Sequence, residues 1–451
     1  MIDPPARTSL EVIPPPPRGL PGGTGLRKRI RTRHAIALYV SSVLGSGILV
    51  LPGLAGHIAG PASLLAWFLL ALASLPFALT FATLSARRPE SGGVYAFAKD
   101  AFGPVIATTT GWLFALWEVV GAPAVALIAA SYLGYAFPLD RPETFVLGFS
   151  IIGLAFAINL RGIVVSSRIQ LAVIVSIVAL LAVTIVVSGL RVRPENFQPF
   201  LPHGIASVGV ASALIFWSFL GYENVSNVAE EFENPARDFP RSVLVSAGLV
   251  GGLYFAVAFV TIGTNAYVAG GGVAPFASIL GAVFGSYGSV VAALLAVFIV
   301  FGVVNAYTTG MSRVTYATAR DGGFPTGLAR LNPRTGAPDR ALFFLFGGAA
   351  IVFVVYYVAN VSLTTALLVA SGAAITLYVV GAAAGVRILG RAGSHPGRAR
   401  WLAVASLATA LVVLPFIGIG LVVTLGVVAG AVLYHSFVRS QPAKPGAPRP
   451  P

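Results

Sequence analysis

The chain contains no cysteine. Disulfide bonds and thiolate metal sites are therefore excluded, and with them a stapled extracellular fold and zinc or iron–sulfur centres built on sulfur. Charge is also scarce: 10% of the 451 residues are charged and only 15 are acidic, too few for a soluble domain of this length. Catalytic patterns are missing as well. The apolar segments hold no Ser with a His or Lys partner, no aspartates paired at catalytic spacing and no His-Glu metal motif, so neither a membrane-embedded enzyme nor a resident metal or cofactor is expected. His57, His203 and His435 stand alone near segment ends and read as interfacial residues. The Pro-rich start lacks the short apolar region of a cleavable signal.

What the sequence has in abundance is apolar surface: 57% of residues are hydrophobic and the mean hydropathy is +0.87. Runs of roughly 20 apolar residues, enough to cross about 30 Å of hydrocarbon at ~1.5 Å per residue, recur along the chain. The expectation is an all-α polytopic membrane protein with twelve transmembrane helices, over 35–60, 63–84, 105–137, 144–160, 166–189, 205–230, 242–264, 284–318, 341–359, 362–387, 401–416 and 418–438. The last two are separated only by Pro415-Phe416-Ile417-Gly418, and a single kinked helix is the alternative. Residues 1–33 form a Pro-rich basic tail, 34–438 the membrane domain, and 439–451 a second Pro-rich tail; both tails are expected to be disordered.

Arginines set the orientation. Arg27, Arg29, Arg31, Arg33, Arg87, Arg88, Arg161, Arg168, Arg237, Arg241, Arg313, Arg320, Arg330, Arg334, Arg340, Arg387, Arg391, Arg398, Arg400 and Arg439 fall on one side, joined by Lys28 and Lys99. The opposite loops hold only Arg141, Arg191 and Arg193. By the positive-inside rule the basic side is cytoplasmic, which places both termini there, in a multi-pass protein of the plasma membrane. The net charge of +14 is mostly the charge of these loops facing the lipid bilayer, and no nucleic-acid partner is expected.

Two of the apolar segments, the first and the sixth, are interrupted. Gly45-Ser46-Gly47 breaks one, and Trp217-Ser218-Phe219-Leu220-Gly221-Tyr222-Glu223 breaks the other. In lipid such a break leaves amide and carbonyl groups unpaired, at several kcal/mol each, unless a cavity or ligand satisfies them. Paired breaks in corresponding positions point to a transporter's solute site. The half-helix after Gly47, with Pro52 tolerated in its first turns, would offer free amides and a positive dipole end to a carboxylate; close helix packing is the structural alternative for these small residues. Carbonyls around 217–220 could accept from an ammonium group, so the two breaks together suit a zwitterion such as an α-amino acid. A carboxylate inside a span, here Glu223, is by default a functional residue.

These motifs carry a resemblance. Gly45-Ser46-Gly47-Ile48, Pro89-Glu90-Ser91-Gly92-Gly93-Val94-Tyr95, the segment from Trp217 to Glu223, Asn234-Pro235-Ala236-Arg237-Asp238-Phe239-Pro240-Arg241, Ser312-Arg313-Val314 and Ala319-Arg320-Asp321-Gly322 occur in the order found in the amino acid/polyamine/organocation permeases. The chain resembles that superfamily from His34 to Val438, and the stretch 216–241 with the short final helix pair is most similar to bacterial exporters of methionine and branched-chain amino acids.

The resemblance implies a 5+5 inverted repeat, about 35–189 and 205–387, with helices one and six broken and two peripheral helices over 401–438. It also implies a secondary transporter working by alternating access. The substrate carboxylate would meet Ser46 and Gly47, and the ammonium would meet carbonyls of Val43, Trp217 and Leu220; Gly45, Ile48, Ser218, Phe219 and Gly221 complete the two breaks. Trp217 matches an aromatic gate, and the residues around Gly92-Gly93 match a cytoplasmic re-entrant hairpin.

For the side-chain pocket, Asn305 and Tyr307 in span eight and Gly121-Ala122-Pro123 in span three are the candidates. They are uncharged, which favours a small neutral, apolar amino acid, with efflux slightly favoured over uptake. Cationic amino acids or amines are the alternative substrates, and a non-transporting amino acid sensor the alternative from another class. Some relatives carry a lysine in span five in place of a sodium ion, but 170–188 has none. With protons as the candidate coupling ion, Glu118 and Glu223 are the candidate carriers; the structural alternatives are a backbone brace for Glu223 and a hydrogen-bonded pair for Glu118. Trp67, Trp112, Trp117 and Trp401 are expected to anchor and pack. Nothing in the sequence sets an oligomeric state.

Overall fold

A computed structural model of the chain describes residues 32–87, 93–162, 167–223, 235–268, 272–391 and 397–440. Residues 1–31 and 441–451 of the two tails, residues 89–92 of the re-entrant motif and residues 224–234 after the second break lie outside them, while residues 32–33 and 439–440, expected to belong to disordered tails, are helical. Among the described residues the fold is all-helical, with fifteen α-helices and no strand.

In chain order the helices are α1 (Thr32–Val43), α2 (Gly47–Ala59), α3 (Ser63–Arg87), α4 (Gly93–Phe102), α5 (Pro104–Ala136), α6 (Arg141–Leu160) and α7 (Ser167–Gly189). Then follow α8 (Gly204–Ile215), α9 (Pro235–Gly263), α10 (Pro275–Phe284), α11 (Ser286–Arg320), α12 (Asp339–Val358) and α13 (Leu363–Gly390), and last α14 (Arg398–Val413) and α15 (Ile419–Ser440). Two stretches share an order of elements: α4 to α7 and α10 to α13 each run from a ten-residue helix to a helix of more than thirty residues and two further long helices.

Ten stretches among the described residues are long and apolar enough to cross a membrane, with α2, the turn after it and α3 counted as one. This number is smaller than the hydropathy count of twelve because the first two predicted spans join in one stretch and the sixth is described only as far as Glu223. Hydropathy also has no element at α10, since ten residues are too few to register as a span. The final pair is two helices rather than one kinked rod. A 3₁₀ turn at Leu414–Ile417 and Gly418 at φ 57° separate them; α14 packs on α13 and α3, and α15 packs on α13 and α5.

Local chemistry explains several helix starts. Asp140 and Glu143 form a reciprocal capping box at α6, with the Glu143 N–H on Asp140 Oδ1 at 2.8 Å and the Asp140 N–H on Glu143 Oε2 at 2.9 Å. Ser362 caps α13 by accepting the Thr365 N–H at 3.1 Å. α4 is tied to the end of α11: Lys99 Nζ and the Tyr95 hydroxyl both donate to Asp321 Oδ2 at 3.1 Å. Burial, and then the Asp321 carboxylate beside it, push the Tyr95 phenol above its ordinary range, so it stays a donor.

Packing separates a lipid face from an interior. Val354 and Val358 of α12 and Leu171, Val175 and Val186 of α7 are exposed, a pattern that would aggregate in water and is ordinary against acyl chains. α5 by contrast is buried along most of its length, between α11, α13 and α6.

Candidate functional site

The site forms where main-chain hydrogen bonding stops in two rods. α1 closes with the Leu44 N–H on the Val40 carbonyl at 2.8 Å, and the next turn opens with the Leu49 N–H on the Ser46 carbonyl at 3.1 Å. Ser46 stands at the N-cap of α2 yet caps nothing: its Oγ is buried and has no hydrogen-bond partner among the described residues. The amides that open α2 therefore meet at the positive end of a helix dipole beside an unused hydroxyl.

In the second rod α8 tightens into a 3₁₀ turn at Phe216–Phe219, Leu220 becomes extended (φ −78°, ψ 151°), and Gly221 takes φ 121°. Only glycine suits that position, because a Cβ there would lie 2.2 Å from the Ser42 carbonyl oxygen. Glu223 folds back on the break. Its Oε2 accepts the Gly221 N–H at 3.0 Å and the hydroxyl of Tyr378 from α13, while Tyr378 Oη lies 3.1 Å from the same N–H. A carboxylate that is 5% exposed thus holds the unwound backbone; removing it would strand the Tyr378 hydroxyl and leave the Gly221 N–H with Tyr378 Oη alone.

The breaks touch each other. A Cβ on Gly47 would sit 2.7 Å from Trp217 Cδ1 and 3.0 Å from Ser218 Oγ, so only a hydrogen fits. Ser218 Oγ is the second buried hydroxyl here with no partner among the described residues. Trp217 meets Trp117 of α5 edge-on (5.9 Å, 87°), and Trp117 meets Tyr307 of α11 in the same way (5.4 Å, 65°). Beside them Glu118 Oε1 accepts the Thr308 hydroxyl at 2.8 Å, joining α5 to α11.

These groups enclose one cavity between the two breaks, α5 and α11. The space open to the centre of a water molecule is about 30 Å³, room for about two waters. A larger solute requires the aromatic wall to shift, and Trp217 is the side chain that closes it against Gly47.

Of the residues singled out from sequence, Val43, Gly45, Ser46, Gly47, Trp217, Ser218, Leu220, Tyr307 and Glu118 line this cavity. Ile48, Phe219, Gly221, Asn305 and Glu223 are buried outside its wall. Phe219 packs between Trp67 and Tyr254. Asn305 turns to α6, accepting from Asn159 Nδ2 at 3.0 Å, while Thr309 donates to Asn159 Oδ1 at 2.6 Å. The Val43 carbonyl already accepts the Tyr254 hydroxyl at 2.8 Å, and the Trp217 carbonyl accepts the Leu220 N–H at 3.4 Å.

Trp117, expected to anchor or pack, is a wall of the cavity, with Gly121, Ala122 and Val125. The available signal was spacing: 117, 118, 121, 122 and 125 lie on one face of a helix. Trp67 is fully buried, a packing residue, whereas Trp401 is 64% exposed, as an interfacial anchor would be.

Comparison with known proteins agrees with this architecture. A family model described as amino acid permease matches residues 30–440. An uncharacterized amino acid permease of Bacillus subtilis, YecA, is 33% identical over 393 residues, covering 87% of this chain and 92% of the relative. The L-methionine/branched-chain amino acid exporter YjeH of Escherichia coli is 31% identical over 400 residues, 88% of this chain and 93% of the relative. A branched-chain amino acid permease of B. subtilis, BcaP, is 29% identical over 345 residues, 72% and 74% of the two chains. With nearly the whole chain matched and two interrupted apolar rods meeting at its centre, the protein is a transporter rather than an enzyme, and it belongs to the amino acid permeases of the amino acid/polyamine/organocation superfamily.

Proposed function

We propose that the protein is a secondary transporter that carries a small neutral, apolar amino acid through the central cavity by alternating access, with export its favoured direction. The observation that carries this reading is the meeting of two breaks at one cavity. One brings the amides that open α2, which a helix leaves without intrahelical partners, and the Ser46 hydroxyl; the other brings main-chain carbonyls at Trp217 and Leu220. A carboxylate suits the first and an ammonium the second. Apart from Glu118, the remaining wall, with Gly121, Ala122, Val125, Val303, Val304 and the aromatic edges, suits an uncharged side chain. The relative named as a methionine and branched-chain exporter supports both substrate class and direction.

The reading includes twelve spans in an inverted 5+5 repeat plus α14 and α15, with both termini in the cytoplasm; the shared order of α4 to α7 and α10 to α13 supports the repeat, and the arginine distribution supports the orientation. Rods one, two, six and seven would rock against the rest. Glu118, which lines the cavity, is the proposed proton carrier, and Glu223 the brace of the second break. A second reading, a cationic amino acid or amine, is favoured by one observation: Glu118 is the charged side chain on the cavity wall.

Counterflow of labelled amino acids in proteoliposomes at two external pH values tests this. Leucine and methionine should exchange and arginine should not. Arginine or polyamine exchanging faster than leucine would replace the neutral assignment, and substrate-dependent thermal stabilisation without flux would identify a sensor. With Glu118→Gln, transport should lose its dependence on external pH; an unchanged dependence in both Glu118→Gln and Glu223→Gln would remove carboxylate coupling.

A further inference from the structure

The side of the molecule opposite the basic loops has three arginines, Arg141, Arg191 and Arg193. Arg141 has a structural use: it donates to the Tyr357 carbonyl at the end of α12 at 2.6 Å and lies over the rings of Phe145 and Tyr357. The other two converge on a single cavity between the end of α7, the loop after it, the end of α9 and α10. The space there open to the centre of a water molecule is about 550 Å³, against about 30 Å³ at the central site.

Its chemistry is that of an oxyanion site. Arg191 spends one N–H on the Ala282 carbonyl at 2.7 Å, which fixes the guanidinium at the cavity wall and leaves its other donors. The Arg193 side chain has no hydrogen bond or ion pair among the described residues, although its backbone N–H is held by the Gly263 carbonyl at 2.9 Å. Asn196 Nδ2 donates once, to the same carbonyl at 2.7 Å, and keeps a second N–H; the side chains of Asn265 and Ser278 add further polar groups. Among the described residues no carboxylate lines the cavity. Two cations and several neutral donors converging without an acidic counterpart match a group with three or more oxygens, and guanidinium pairs bind phosphate bidentately. The rim supplies the other half of the argument. Leu190, which lines the cavity, is 98% exposed, and Val186 below it and Phe284 on α10 are also exposed, so an apolar surface of the kind that faces acyl chains leads directly to the arginines.

We propose that this cavity binds a phosphate group, that of an anionic lipid headgroup seated with its acyl chains against the Val186, Leu190 and Phe284 surface. The site is separate from the central cavity, and its occupancy does not depend on which amino acid the protein carries. A bound lipid would clamp α7, α9 and α10 together where the two halves of the fold meet.

The test uses the full chain in detergent, titrated with phosphatidylglycerol, phosphatidylcholine or glycerol phosphate while thermal unfolding is followed. Phosphatidylglycerol should raise the unfolding midpoint and phosphatidylcholine should do so far less. In R191Q/R193Q the lipid concentration for half-maximal shift should rise at least about ten-fold, about 1.4 kcal/mol, whereas R191K/R193K should keep part of the response and the control R330Q/R334Q on the basic side all of it. A shift with glycerol phosphate equal to that with lipid would give the site to a soluble phosphate and overturn the lipid assignment. A response to phosphatidylglycerol that survives R191Q/R193Q, that is lost equally in the control, or that is absent from the wild type would overturn the site itself.

Discussion

The two breaks solve the same problem in opposite ways. At the second, the protein supplies its own partners: Glu223 reaches back to Gly221, and Tyr378 arrives from α13 to share both. At the first, the Tyr254 hydroxyl from α9 holds the Val43 carbonyl where α1 ends, but among the described residues no side chain caps the start of α2, and the Ser46 hydroxyl is left without a partner beside the cavity. On the proposed reading the difference separates a scaffold from a receptor. A braced break keeps its shape whether or not a solute is bound, whereas an unbraced one gains stability only when a solute brings the missing acceptor.

The sharpest way to break the contrast is to damage the braced side. Gly221→Ala forces an L side chain to φ 121° and into the Ser42 carbonyl, which should destabilise by on the order of 3 kcal/mol or more and show as a large fall in the unfolding midpoint and in folded yield. Next comes Glu223→Ala, which removes the acceptor of the Tyr378 hydroxyl and one of the two acceptors of the Gly221 N–H; about 1–3 kcal/mol is expected, and Glu223→Gln, which keeps one acceptor oxygen, should recover much of it. Equal melting points for Glu223→Ala and wild type would show that the brace is not one.

On the unbraced side the effect should move from stability to transport. Gly47→Ala pushes against Trp217 and Ser218 and should lower counterflow at least about ten-fold, about 1.4 kcal/mol, with little change in melting. Ser46→Ala removes a hydroxyl that has no partner among the described residues. Its melting point should stay within about 0.5 kcal/mol of wild type, while the substrate concentration for half-maximal counterflow rises about 3–10-fold, the loss of one hydrogen bond of about 1 kcal/mol. If Ser46→Ala instead melts early and transports normally, the roles of the two breaks are reversed. The smallest change is expected far from either: Asp321→Asn, where Lys99 is 50% exposed, should cost less than about 1 kcal/mol.

How much of this was readable from the chain depended on distance along it. Gly45-Ser46-Gly47 announces itself because two glycines inside an apolar run are visible locally, and the cavity does form there. Glu223 was visible as a carboxylate in a span, but its partner Tyr378 lies 155 residues further on, and no local pattern links the two. Trp117 looked like any tryptophan of a membrane protein, since anchoring and cavity-lining use the same residue; only its face, shared with Glu118, Gly121 and Val125, tells them apart. Asn305 was legible as a polar residue at the right depth but not as one turned toward Asn159. The helices themselves were the easiest part, because twenty apolar residues have few alternatives in lipid, and α10 was missed because ten residues carry too little signal.

The hydroxyl that Tyr254 lends to the Val43 carbonyl has a mechanical consequence. α9 contributes nothing to the wall of the central chamber, yet if the cargo's amino group seats at Val43 as proposed, it would share that oxygen with a phenol anchored on α9. On that reading loading would be felt by a rod that never touches the cargo, through the loosening or tightening of one bond.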